Sequence, residues 1–588
     1  MTFAVLIFTL SPVQSFIAEA RRTADLFVGS AILSELAKAA AQAIGTANLV
    51  YPAPVGEDVN VPNVLVAYLP AEEAPSIARH AEEALHRRWQ EIADSARQVF
   101  AKLEFVDETF DTIWNRQIGN FWEIYWTIAA EDTNGYTDAY QRARVALDAV
   151  KRSRLFAPSE EPGIKDTLSG QREALHAAGQ ASYHGVKSFW QRVAQSPDIG
   201  PSRLRPQGRE RLDAIGATKR FCYLVNKSFS STSISFPSTS TVAALDFIKR
   251  AQQRAPNELR NHYNAVAELL GSYAYQPRKS DLAWPFDGDL LFEETFTPNR
   301  LEDSYALTQP DPQKLGAARQ TLRALYKAVG DSPSTYYALL VFDGDDMGRR
   351  ISECLQQANP RQAHTKLSQS LVDFAARVRD VFKDAPECLI YNGGDDVMAF
   401  LPIEWALTKA RALAANFEAV ACSAPVFGTA SAGLALVHHL HPLDAALRAA
   451  RAAEAQAKQA PGKAALCITA LKRSGEQVTA VTRWDGLSCL SSLVNSMKQG
   501  DLAFSFVSDA MLTLEAIPPN ASEMLRMELR RQMRRHGTEA WVKSGAADQL
   551  ADHLTDWTDC LPQKVEDLRN WISIARFIVR ESSEEAAG

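Results

Sequence analysis

Residues 391–400 read YNGGDDVMAF: two glycines, two adjacent aspartates, then an apolar run. The run "CLIY" before the glycines and "VMAFL" after the aspartates both have strand composition. They predict a β-hairpin in which Gly393 and Gly394 supply the turn and Asp395 and Asp396 sit at the tip. Upstream, "YYALLVF" at 336–342 is a continuous apolar run that breaks into "DGDDMG", the pattern of a buried strand ending in a loop. A helical stretch, "LSQSLVDFAARVRDVF", separates that strand from the hairpin. A second, "WALTKARALAANFEAVA", follows it, then a strand, "TASAGLALVHH", and an alanine-rich helix from Pro442 to the region of Lys458. The order β-α-β-β-α-β is that of the ferredoxin-like arrangement, which lays the first strand beside the central hairpin. Asp343, at the end of that strand, is therefore predicted to face Asp395 and Asp396.

Three carboxylates brought to one spot repel one another unless cations sit between them. Oxygen-only donors suit Mg²⁺ or Mn²⁺. Two such ions about 4 Å apart would activate a 3′-hydroxyl and stabilise a departing pyrophosphate, the chemistry of nucleotidyl transfer. A lone "GDD" is usually a solvated turn. Here a strand-terminal "DGDD" and a hairpin "GGDD" occur in the order the fold requires.

The N-terminus holds a second copy of the pattern. "LIFTLSPVQSFI" is similar to "LVFDGDDMGRRI", and "VPNVLVAYLP" (61–70) to "GGDDVMAFLP" (393–402). Thr9 and Asn63 are 54 residues apart, Asp343 and Asp395 52. The first copy carries Thr9, Asn63 and Val64 where the second has its carboxylates, so it can bind but lacks the means to hold divalent ions.

At 588 residues the chain exceeds a single core, and two to four domains are expected. The formal charge of -7 gives no global nucleic-acid signature, which leaves only local basic stretches: "RSRLF", "SRLRPQGRERL" and, near the C-terminus, "MLRMELRRQMRRH". In the last, Arg526, Arg530, Arg531, Arg534 and Arg535 cover much of a helix circumference. A solvated face is the default reading and an RNA contact the sharper one. The seven cysteines form no C-x-x-C pair, which argues against a disulfide framework or a zinc site and fits a reduced, cytoplasmic setting. No apolar run reaches membrane-spanning length, and no membrane partner is expected. His438, His439 and His441, beside a strand end, are read as structural rather than as metal ligands.

Five stretches in order, "SPVQSFIAEARRTADLFVGSAILSELAKAA", "FPSTSTVAALDF", "DGDDMG", "YNGGDDVMAFLP" and "SAGLALVHHLHPLDAALRAARAAEAQAK", resemble the large subunit of type III CRISPR effector complexes, closest to the type III-B (Cmr) branch. The resemblance runs to the region of residue 475 and weakens beyond it. It implies an α+β protein with two ferredoxin-like palm (nucleotide cyclase-like) domains: a first palm over 1–150 with a degenerate site, a mainly helical linker over 151–325, a second palm over 326–485 and a C-terminal helical bundle over 486–588. It implies a complex containing guide RNA (crRNA) and other effector subunits, and an activity, switched on by target RNA, that joins ATP into cyclic oligoadenylates. Asp343, Asp395 and Asp396 would be catalytic and would hold two Mg²⁺ or Mn²⁺ ions. Gly344, Asp346, Gly348, Gly393, Gly394 and Lys458 would meet the donor nucleotide, and Ser11 and Gln14 of the first palm the acceptor.

Two departures from that family's pattern stand out. The chain opens on its first palm strand and has no adjacent His-Asp pair, so an HD nuclease is not expected. Where a zinc knuckle would place cysteines, this sequence has Asp166, Ser169, Asp213 and Gly216, which cannot hold zinc. Packing alone is expected to hold that segment. A scaffold without activity, a free-standing diguanylate-type cyclase and the joining of ATP to another acceptor such as S-adenosylmethionine remain alternatives.

Overall fold

The computed structural model describes residues 2–53, 60–153, 160–196, 199, 204–224, 237–271, 284–422 and 428–582. Arg154 to Phe156 of one basic stretch, Ser202 and Arg203 of another, and Phe236 lie outside them.

The described residues form a mixed α+β structure with two sheets. The first holds β1 (Phe3–Ser11), β2 (Leu49–Tyr51), β3 (Val64–Pro70) and β4 (Glu123–Ala130) in the order β2-β3-β1-β4. The second holds β5 (Tyr336–Gly344), β6 (Leu389–Asn392), β7 (Val397–Pro402), β8 (Ala430–His438), β9 (Ala465–Leu471) and β10 (Gln477–Arg483), in the order β10-β9-β8-β5-β7-β6. The core of each sheet has the strand order of a β-α-β-β-α-β unit. The repeat read from the sequence extends to register. Phe3 pairs with Pro70 and Phe8 with Leu65 in the first sheet, as Tyr337 pairs with Pro402 and Phe342 with Val397 in the second. Likewise Thr9 lies opposite Tyr125 on β4, as Asp343 lies opposite Ser431 on β8. The second sheet also gains β9, parallel to β8, and β10. The sequence reading did not single these out.

Strand β5 is buried on both sides, which explains its unbroken apolar run. Tyr337 and Leu339 join the core shared with the first sheet, whereas Ala338, Leu340 and Phe342 pack into a second core with the helices Pro360–Val381 and Ile403–Ala421. Phe342 stacks on Phe374 at 5.7 Å and meets Phe417 edge-on. The helices from Leu487 to Ser582 close the same core through Trp557, Leu568 and Trp571.

The segment around Asp166, Ser169, Asp213 and Gly216 is not held by packing alone. The Asp166 carboxylate accepts from the backbone N–H groups of Leu168 (2.7 Å) and Ser169 (2.6 Å) and from the Ser169 hydroxyl. Asp213 caps the helix Ala214–Phe221 by accepting from Gly216 N–H at 2.7 Å. Arg172 pairs with both Asp213 and Glu19 and so joins this segment to the first unit. Beside it, buried Arg220 pairs with Asp25 at 2.6 Å and Glu210 at 3.3 Å. Hydrogen bonds and ion pairs thus hold this segment, each buried carboxylate having a cationic or N–H partner.

The C-terminal arginines follow the same logic. Arg526 reaches Asp556, Arg530 reaches Asp552, Arg534 reaches Asp548 and Arg535 reaches Asp509, while Arg531 pairs with Glu528 one turn back. Most of these acids come from the facing helix Ala546–Asp559. The basic run is largely neutralised within the chain, which weighs against an RNA contact there.

Candidate active site

Three elements deliver the carboxylates. Strand β5 ends at Asp343 and Gly344, fixed opposite Ser431 and Ala430 of β8. The β6–β7 turn carries Asp395 and Asp396 and is closed by Gly393 N–H donating to the Asp396 carbonyl at 2.9 Å. One carboxylate oxygen from each of Asp343, Asp395 and Asp396 lies within 4.8 Å of the other two. This is the convergence that the strand order predicts.

The glycines have separate reasons. Gly394 has φ +101°, a backbone that side chains rarely adopt. A Cβ on Gly344 would come 3.0 Å from Asp395 Cβ, so strand end and turn need a bare backbone to approach. Gly393 was expected to make room for a nucleotide. Its open side is filled instead by the phenol of Tyr391. Around Gly348 nothing stands within 4 Å of the space a Cβ would take, so packing there does not require a glycine.

Burial pushes Asp395 up to about 7, and the neighbouring Asp396 charge adds to this while Arg350 opposes it. Burial pushes Asp396 up to about 6, although the residue keeps an exposed edge. Both shifts mean that the surroundings leave these anions short of compensation. A carboxylate-only donor set at this spacing fits Mg²⁺ or Mn²⁺.

Lys458, at the end of the helix Leu443–Ala457, pairs with Asp343 and, at 2.9 Å, with Glu454. Burial and the adjacent Lys463 push its ammonium down to about 8, which leaves it charged near neutrality. Lys463 pairs with Asp346, which sits at φ +53° where the helix Met347–Cys354 begins. Asp345 is buried; it accepts from Thr429 Oγ1 at 2.7 Å and from Ala464 N–H at 3.1 Å.

Sequence reasoning missed several neighbours. Glu454 is held above the usual carboxylate range by burial and by the charges of Asp396 and Asp345. Arg350 is 1% exposed, with its guanidinium 5.6 Å from the Phe417 ring centroid. From the first unit, Asn60 donates to the Asn392 carbonyl at 3.0 Å, and half-buried Tyr51 has its phenol raised by burial, with the charges of Asp395 and Asp396 adding to the shift. No periodic signal marks such residues, because each acts through a contact distant in sequence.

Ser11 ends β1, and exposed Gln14 opens a five-residue helix in the first unit whose Phe16 and Ile17 are buried. Thr9, at the position matching Asp343, is fully buried. His439 bonds Ser240 Oγ at 2.8 Å and stacks on Phe292, the structural role expected of it.

The family model for the second palm domain of Cas10/Cmr2 matches residues 336–467, the stretch that contains all three carboxylates. The model for the N-terminal region of CRISPR-associated protein Cmr2 matches residues 5–59. The chain is Cmr2-like. The CRISPR system Cmr subunit Cmr2 of Pyrococcus furiosus is 25% identical over 627 aligned residues, which cover 90% of this chain and 69% of that protein. Among solved structures, the type III-B Cmr-beta complex in its apo state contains a chain matching at TM-score 0.62 and 12% identity, covering 91% of this chain and 77% of the other. The same complex bound to cognate target RNA matches at TM-score 0.60 and 13% identity, over 92% and 79%. At these identities the structural likeness establishes the fold. Among the described residues no helix is long and apolar enough to cross a membrane.

Proposed function

We propose that this Cmr2-like chain is the large subunit of a type III CRISPR effector complex and that, once guide RNA in the complex has paired with target RNA, it converts ATP into a cyclic oligoadenylate. The observation that carries the reading is the convergence of Asp343, Asp395 and Asp396 to within 4.8 Å. A scaffold has no use for three clustered anions that repel one another.

Asp343, Asp395 and Asp396 would hold the metal ions. Bound there, two Mg²⁺ or Mn²⁺ ions supply Lewis acidity for the attacking 3′-hydroxyl and for the pyrophosphate that leaves. The chain's own groups do the rest. The N–H groups at the start of the helix Met347–Cys354 offer a positive end to polyphosphate. Lys458 brings a cation to the same spot. The first unit, which lacks carboxylates at Thr9, Asn63 and Val64, would hold the acceptor nucleotide near Ser11 and Gln14. Its contacts through Asn60 and Tyr51 keep the hairpin aligned with that acceptor.

The finer architecture goes with this reading: two palms over 1–150 and 326–485, a mainly helical linker between them and a C-terminal helical bundle from 486. Replacing Asp395 and Asp396 together with alanine tests the assignment. Turnover of ATP should fall by about three orders of magnitude or more with guide RNA still bound. Undiminished product would remove the site.

A further inference from the structure

The acidic site carries its own cations. Two lysines of one turn, which connects the helix Leu443–Ala457 to β9, pair with Asp343 at the end of β5 and with Asp346 at the start of the helix that follows: Lys458 with Asp343 and Lys463 with Asp346. A third contact fastens the same turn, Ala464 N–H donating to buried Asp345 at 3.1 Å. The turn itself is held in an unusual shape. Gly462, Lys463 and Ala464 have φ of +76°, +52° and +49°, and two of them are not glycine. Side chains rarely adopt that backbone, so these contacts oppose the tendency of the turn to relax.

We propose that Lys458 and Lys463 are exchangeable counter-ions: they neutralise Asp343 and Asp346 in the free protein and transfer to the nucleotide polyphosphate when divalent ions take the carboxylates. The proposal rests on the two-metal reading of the site.

The geometry gives Lys458 two carboxylate partners. Lys458 is shared between Asp343 and Glu454, so it can leave Asp343 and remain paired through Glu454 at 2.9 Å. Asp343 is one of the three groups that converge as metal ligands; an ammonium at its carboxylate competes with an incoming divalent ion. A nucleotide triphosphate presents oxygens to both lysines at once. Metal and nucleotide each remove an obstacle to the other, which is reciprocal coupling between two ligands.

The test is Mn²⁺ binding by the purified full chain, read from the electron paramagnetic resonance signal of free Mn²⁺. It is made with and without an ATP analogue that has a methylene between the α and β phosphorus atoms and so cannot react. Wild type should bind Mn²⁺ weakly alone and about tenfold more tightly with the analogue. Lys458→Gln should bind Mn²⁺ without nucleotide about tenfold more tightly than wild type, because the competing charge has gone, and should gain little more from the analogue. Lys458→Arg, which keeps the charge, should behave as wild type, and Lys463→Gln should lose affinity for the analogue. Unchanged or weaker Mn²⁺ binding by Lys458→Gln in the absence of nucleotide would overturn the exchange alone. Absence of Mn²⁺ binding by every variant, with the analogue present, would overturn the two-metal reading together with it.

Discussion

The phenol of Tyr391 occupies the side-chain space of Gly393: a Cβ added there would lie 1.7 Å from the Tyr391 hydroxyl oxygen. The first glycine of the hairpin is thus set by packing within the hairpin. Gly393→Ala should destabilise the protein by about 1–3 kcal/mol, the cost of overpacking. The same substitution made in a Tyr391→Ala background should cost clearly less. Urea denaturation of the four proteins gives the coupling, and equal costs in both backgrounds would clear Tyr391 as the obstacle.

Arg172 connects Asp213 and Glu19 by ion pairs. Purified protein should contain no stoichiometric zinc, and chelators should leave its melting temperature unchanged. Arg172→Met should cost about 3–5 kcal/mol, since it strands a buried carboxylate. A melting temperature that falls on chelation would show a structural metal.

Glu404, at the start of the helix Ile403–Ala421, is pushed up to about 8 by burial, with the Asp246 charge adding to the shift. A carboxyl raised in the folded state binds its proton more tightly there than in the unfolded chain. This group therefore subtracts stability as pH rises from the usual carboxylate value through about 8. Glu404→Gln should match wild type near pH 4 and exceed it near pH 8, with a flatter stability profile between, as checked by denaturant midpoints across that range. A wild-type profile that the substitution leaves unchanged would mean Glu404 is hydrated.

The second sheet was legible because its pattern is local. Apolar runs, glycines and acids follow one another in the order β5, β6, β7, β8, and the pairing that brings Asp343 to Asp395 follows from topology alone. Of the first sheet only β1 and β3 were legible, by likeness to β5 and β7; the pairing of Phe8 with Leu65 and the strands β2 and β4 came from the structure. What escaped depends on contacts between distant segments. Glu454 looks like any helix glutamate until the charges of Asp396 and Asp345 are brought near it. Arg350 looks solvent-facing because its helix is short and its cover, Phe417, comes 67 residues later. The C-terminal arginines read as a basic patch because the aspartates that neutralise them sit on another helix.

The central claim is tested most directly by incubating the guide-RNA-containing complex with radiolabelled ATP and Mg²⁺, with and without target RNA, and resolving the products. Cyclic oligoadenylate that appears only with target RNA, and disappears in the Asp395→Ala, Asp396→Ala double variant, is the predicted result. A complex that binds target RNA normally and leaves ATP unchanged would contradict it.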